Sequence, residues 1–152
     1  MNTNTRNADR VIMPHSLLDN FKSLYSDLVK ADLSQLDHLY SGDIIFKDPI
    51  HEVQGIVAVE DYMSNVCTDV DYCQFEYLDE LIGDNNAYIK WMMHFRHHKL
   101  GKSLISVRGM SHLSFNGKIT YHEDVYDMGA MLYEHLPLIG GTTRWLKQRL
   151  QR

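Results

Sequence analysis

Ile119 to Asp127 reads Ile-Thr-Tyr-His-Glu-Asp-Val-Tyr-Asp. As a strand it sends His122, Asp124 and Tyr126 to one face, and Tyr121, Glu123, Val125 and Asp127 to the other. A base, an acid and a phenol on one wall are groups that move protons and hold developing oxyanion charge. Far upstream, Asp48 precedes Pro49 after the short apolar run Ile44-Ile45-Phe46. Proline cannot donate to a ladder and restricts the residue before it, so Asp48 is expected where a strand gives way to a loop. Both features point to a polar cluster in a small-molecule pocket.

Trp91, Met92, Met93, Met110, Tyr121 and Tyr126 are residue types that grip flat or acyl ligands, and they are equally the material of a packed core. Histidines at 94, 97, 98, 112 and 122 invite a metal reading. His97 and His98 are adjacent and face opposite sides of a strand, no HExxH is present, and both cysteines lie elsewhere, so no metal is expected. Neither GxGxxG nor GxxxxGK[ST] occurs, which removes support for dinucleotide or P-loop nucleotide binding.

The elements that position these groups follow from periodicity. Residues 1–13 are polar and without period, and are expected to be a loose arm. Leu17, Leu18, Phe21, Leu24, Tyr25 and Leu28 recur at the three-and-four spacing of an amphipathic helix. Asp32 and Gln35 read as a capping box for a short second helix bearing Leu33, Leu36, Leu39 and Tyr40. Ile56, Val59, Tyr62, Met63 and Val66 give a third helical face after Gly55. From Tyr72 a meander of four strands is expected, broken at 83–86, at 99–102 and at Asn116-Gly117, a strong hairpin signal. Met128 to Glu134 reads as a helical turn, 136–141 as an apolar loop and Thr143 to Leu150 as a final amphipathic helix. Helices first and sheet second make an α+β domain.

Composition limits the partners. At 152 residues with 44% hydrophobic and 23% charged, one domain with a core and one modest cavity is expected. A net charge of −5 argues against nucleic acid, which needs a basic surface. The last eleven residues hold Arg144, Lys147, Arg149 and Arg152 and no acid, which leaves −9 on the preceding 141. That basic amphipathic end is expected to pack on the protein in preference to anionic lipid. Two cysteines, Cys67 and Cys73, make no framework and are read as reduced, in a cytoplasmic protein. Strand 87–96 has Ile89, Trp91, Met93 and Phe95 on one face and a mixed face opposite, which is expected to meet a second copy in a homodimer.

Four segments resemble the nuclear transport factor 2-like superfamily, which includes SnoaL-like polyketide cyclases, ketosteroid isomerase and scytalone dehydratase. They are Phe46-Lys47-Asp48-Pro49, Gly55 to Val59, Ser111 to Ile119, and His122 to Asp127. The resemblance implies a curved sheet wrapped around helices to form a cone with an apolar pocket, spanning 14–141, with 142–152 as an appended helix. It also implies that Asp48 stands where ketosteroid isomerase keeps its catalytic aspartate, and Asp124 where SnoaL-like cyclases keep an acid/base aspartate. It makes the face of His122, Asp124 and Tyr126 the inward one. The isomerase's oxyanion tyrosine matches Leu24, however, and its protonated aspartate matches Ser111, with Tyr25 one residue round the helix. Loss of preorganised donors costs orders of magnitude in rate, so steroid isomerisation is not expected.

The expected function is a cofactor-free isomerase, cyclase or dehydratase acting on an apolar carbonyl compound. Asp48, as the base that takes the proton, and Asp124 with His122, as an acid/base pair, are the catalytic candidates, and Tyr126, Ser111, Tyr25, Trp91 and Met93 the substrate contacts. Two alternatives stand beside it. Asp48 accepts loop N–H bonds and only ends its strand, or the whole domain is a binding or interaction module without chemistry.

Overall fold

The structure, a computed structural model, describes residues 5–136 and 139–150, with side chains from His15 onward. Helix α1 (Thr5–Tyr25) leads into a 3₁₀ turn (Leu33–Gln35) and the short α2 (Leu36–Leu39). Strand β1 (Tyr40–Lys47), the three-residue β2 (Glu52–Gln54) and helix α3 (Ile56–Cys67) follow. Then come β3 (Val70–Ile82), β4 (Asn86–His97), β5 (Ile105–Asn116) and β6 (Lys118–Tyr126), and last α4 (Met128–Met131) and α5 (Ile139–Leu150).

The six strands form one curved sheet in the order β2-β1-β6-β5-β4-β3. β3 to β6 make the expected antiparallel meander. β1 joins the far side of β6 in parallel, and β2 folds back on β1 as a hairpin the sequence reading had as loop. Register shifts in β3 between Val70 and Tyr72 and between Tyr77 and Asp79, and in β6 between Ile119 and Tyr121, bend the strands. Gly117 supplies the positive φ, 74°, that closes the β5/β6 hairpin.

The inner face of the sheet carries Cys73, Ala87, Ile89, Trp91, Phe95, Ile105, Val107, Leu113, Phe115 and Ile119, and α1 lays Leu18, Phe21 and Tyr25 against it. The outer face exposes Leu81, Tyr88, Met110 and Val125. Of the residues read as possible ligand grips, Trp91, Met93 and Tyr126 therefore face inward, while Met92, Met110 and Tyr121 share the outer face.

Three boundaries differ from the sequence reading. The segment expected to be a loose arm is helical from Thr5, with Pro14 inside α1. Once residues 15–25 are anchored, each further residue elongates an existing helix without a new nucleation cost. Asp32 caps only the 3₁₀ turn, accepting from Ser34 N at 3.1 Å, and Gln35 donates to its carboxylate at 3.3 Å, so the second helix splits and Tyr40 opens β1. Helix α5 starts at Ile139, within the expected loop, because Gly140 lies so close to the Glu134 backbone that a Cβ would stand 2.3 Å from its carbonyl oxygen. Lys147 ties α5 down through Asp127 at 2.6 Å and Glu134 at 2.7 Å. Among the described residues, no helix is long and apolar enough to cross a membrane.

Gly109 lets the Trp91 ring lie flat on β5: a Cβ there would stand 2.1 Å from the indole Cη2. Gly109→Ala is expected to destabilise the protein by about 1–3 kcal/mol, since Trp91 is buried and cannot swing away without strain. Urea denaturation measures this, and an unchanged midpoint would refute the packing.

Candidate active site

Parallel pairing of β1 with β6 builds the site. Phe46 pairs with His122 and Lys47 with Glu123, so the next residue on each chain, Asp48 and Asp124, arrives at the same end of the sheet. There a cavity of about 520 Å³ opens between sheet, α3 and the C-terminal segment, within the range of about 300–1,000 Å³ usual for ligand sites. Tyr25, Phe46, Phe75, Trp91, Met93 and Phe95 give it an apolar wall, and Met131, Leu132 and Leu136 close over it. Asp48, Tyr62, Asp124 and Tyr126 are its polar groups on the inner side. His51, His97 and Lys99 stand on the more exposed rim.

Asp124 is the end of a buried chain of hydrogen bonds. Its Oδ1 lies 2.9 Å from His122 Nε2 and accepts from Ser111 Oγ at 2.5 Å. Ser111 Oγ in turn accepts from Trp91 Nε1 at 2.9 Å. On the other side of the imidazole, His122 Nδ1 lies 2.7 Å from Tyr40 Oη, and Tyr40 Oη lies 2.8 Å from Tyr25 Oη. A carboxylate only accepts, so Nε2 carries a proton; in the neutral imidazole Nδ1 then accepts from Tyr40, and Tyr40 from Tyr25. His122 is 1% exposed and ringed by Phe21, Tyr25, Tyr40 and Phe46. Asp124 Oδ2 has no hydrogen-bond partner among the described residues, and its side chain is 17% exposed.

Asp48 is held differently. Oδ1 accepts from the backbone N–H groups of Ile50 and His51, both at 2.7 Å, and Oδ2 accepts from the Tyr62 hydroxyl. This carboxylate organises the loop after β1, as an aspartate before a turn does. Burial pushes the Tyr62, Tyr126, Tyr25 and Tyr40 phenols up, with the Asp48 and Asp124 carboxylates adding to the rise at Tyr126, so these hydroxyls stay protonated and donate. Tyr126 has no hydrogen-bond partner among the described residues and lines the cavity. Burial also pushes the Cys73 thiol up to about 12, and Cys67 rises from the same cause. The two cysteines are free and both line the cavity.

The residues singled out from sequence thus divide into two groups. Asp48, Asp124, Tyr126, Tyr25, Trp91 and Met93 line the cavity. His122 and Ser111 stand behind Asp124, and Ser111 commits its one proton to that carboxylate, so it has none to give a ligand. Sequence reading missed Tyr40 and Tyr62, whose spacing marked them only as helical core positions, and Phe46, which read only as part of a strand. Among the described residues no group of three or more His, Cys, Asp or Glu is arranged to hold a metal ion.

Tyr40→Phe tests the chain directly. It removes the group facing His122 Nδ1, and is expected to cost about 1–3 kcal/mol in stability because a buried polar atom loses its partner. It should also shift the His122 imidazole ¹⁵N resonances; unchanged resonances would mean Tyr40 does not hold the ring.

A family model for the SnoaL-like domain matches residues 21–122. No curated protein matches the sequence. Among solved structures, an NTF2-like protein of unknown function from Exiguobacterium sp. 255-15 is 21% identical, with a TM-score of 0.64 over 74% of this chain and 98% of that one. A putative SnoaL-like polyketide cyclase from Shewanella putrefaciens CN-32 is 18% identical, TM-score 0.67, over 78% and 92%. AclR, a putative hydroxylase from Streptomyces galilaeus, is 19% identical, TM-score 0.61, over 86% and 98%. At these identities the likeness carries the fold, and the different activities named for the relatives leave the chemistry to the site itself.

Proposed function

The chain belongs to the SnoaL-like domain family, and from that premise we propose that its cavity binds an apolar carbonyl compound on which Asp124 acts as the acid/base. Asp124 Oδ2 takes a proton from the carbon next to the carbonyl, and the electron pair moves onto the carbonyl oxygen as an enolate. Tyr126 donates a hydrogen bond to that oxygen. Return of the proton from Asp124 to another carbon gives an isomerisation, attack of the enolate carbon on a second carbonyl with the Asp124 proton passing to the new alkoxide gives an aldol-type ring closure, and departure of a β-hydroxyl as water with the Asp124 proton gives a dehydration. His122 and Ser111 hold Oδ1 so that Oδ2 faces the ligand. The observation that carries this reading is the unpartnered Asp124 Oδ2 at the wall of an apolar cavity, where its neighbour Oδ1 is fixed twice.

An enolisable bicyclic ketone, 2-tetralone, tests it without knowledge of the natural substrate. In deuterated buffer the protein is expected to accelerate exchange of the ketone's α-protons, and exchange at the buffer rate by protein that demonstrably binds the ketone would sink the reading. That outcome supports a second reading, a binding module without chemistry, which is favoured by the saturation of both Asp48 oxygens. We further propose that a second copy packs on the outer sheet face, a reading supported by its exposed Leu81, Tyr88, Met110 and Val125. Sedimentation as a dimer at micromolar concentration supports that placement, and a monomer removes it.

A further inference from the structure

We infer that the ligand of this cavity carries a protonated or quaternary amine on its apolar skeleton. The inference deepens the proposed function and rests on its reading of the cavity as the ligand site. It starts from a charge count. Asp48 and Asp124 both line the cavity, with side chains 5% and 17% exposed. Every group that bonds Asp48 is neutral: two backbone N–H groups and a phenol. The nearest imidazole, His51, lies 3.7 Å away with its side chain half exposed. Asp124 faces one imidazole, His122. The inner wall thus sets two carboxylates against one bonded imidazole, with no lysine or arginine among their described partners.

Among the described residues, no lysine or arginine bonds either carboxylate. Lys99 is the one lysine or arginine of the lining, and it stands on the rim, bonded to Asp69. On the C-terminal segment, Lys147 is taken by Asp127 and Glu134. Buried carboxylates without a counter-charge are costly, and the cost falls when a cation enters. The remainder of the wall suits such a guest. Phe75 packs edge-on to Trp91 with centroids 5.1 Å apart, and Tyr126 tilts against the same indole at 6.2 Å. Aromatic rings with nearby carboxylates attract an alkylated ammonium through the ring faces and reject an anion. A carboxylate-bearing or phosphorylated ligand meets no lysine or arginine among the described residues of this inner wall.

Choline and its uncharged isostere 3,3-dimethylbutan-1-ol separate charge from shape. Binding is followed by the indole N–H resonances: Trp91 lines the cavity, and Trp145, half exposed on α5, serves as an internal control. Choline is expected to move Trp91 and not Trp145, and to bind at least about 10-fold tighter than the alcohol. Asp124→Asn should reduce that preference, and so should Asp48→Asn if its loop folds; Asp124→Asn alone decides if it does not. Equal or tighter binding of the alcohol, or a preference unchanged in Asp124→Asn, overturns the inference. The two readings fail separately. Ketone exchange without a choline preference removes only the amine, and a choline preference without ketone exchange removes only the proton transfer.

Discussion

Asp124→Asn slows α-proton exchange of 2-tetralone by about 10²- to 10⁴-fold, the usual contribution of a positioned general base. The fold tolerates the change because an amide oxygen still accepts from Ser111 and from His122 Nε2, at 2.5 and 2.9 Å in the native protein. Ketone binding is therefore retained within a few fold, and the loss falls on the rate. Asp48→Asn behaves in the opposite way. Its carboxylate spends both oxygens on Ile50, His51 and Tyr62, so the variant loses stability as the loop loosens, while exchange per folded molecule changes little. The contrast is with the sequence expectation, in which Asp48 takes the proton. Exchange and unfolding measured on both variants decide the assignment, and full exchange in Asp124→Asn defeats it.

The second large effect is loss of stability in alkali. Burial raises the Cys73 thiol from 9.0 to about 12 in the folded state. Between those values the unfolded chain gives up this proton and the folded protein keeps it, so the native state binds more protons and stability falls as pH rises. The contribution is fully present below pH 9, declines by about 1.4 kcal/mol per pH unit above it, and is gone near pH 12, a total of about 4 kcal/mol. Cys67 acts in the same direction. The phenols of the buried Tyr25 and Tyr40 and of the half-buried Tyr62 and Tyr126, also raised, join above their ordinary 10.0. Urea midpoints should be level up to pH 9 and fall steeply above it. In Cys73→Ala the fall from pH 9 should be shallower, carried by Cys67 alone until the phenols join near pH 10. A flat profile from pH 8 to 11 would contradict the burial of these groups.

The inward face of β6 was legible in the sequence because alternation and an Asn-Gly turn fix a strand's two sides, and the resemblance chose between them. The meander and the amphipathic stretch of α1 were legible for the same local reason. Asp48 was correctly set at a strand end, but its role was not legible, since that depended on which N–H groups the loop would turn toward it. Tyr40 and Tyr62 illustrate the limit more sharply. Both sit at helical spacing in apolar company, and only the parallel pairing of β1 with β6, a contact across about eighty residues of chain, brings Tyr40 against His122. A long-range pairing of this kind leaves no periodic trace. Pairing also decides that Ser111 faces Asp124, which turns an expected ligand donor into a brace for the carboxylate.

A crystal structure of the protein with 2-tetralone bound tests the central claim most directly. The account predicts the ketone inside the cavity, its α-carbon against Asp124 Oδ2, its oxygen within hydrogen-bond reach of the Tyr126 hydroxyl, and Oδ1 still held by His122 and Ser111. A ketone seated with its α-carbon against Asp48, or Asp124 Oδ2 turned away from the ligand, would contradict it.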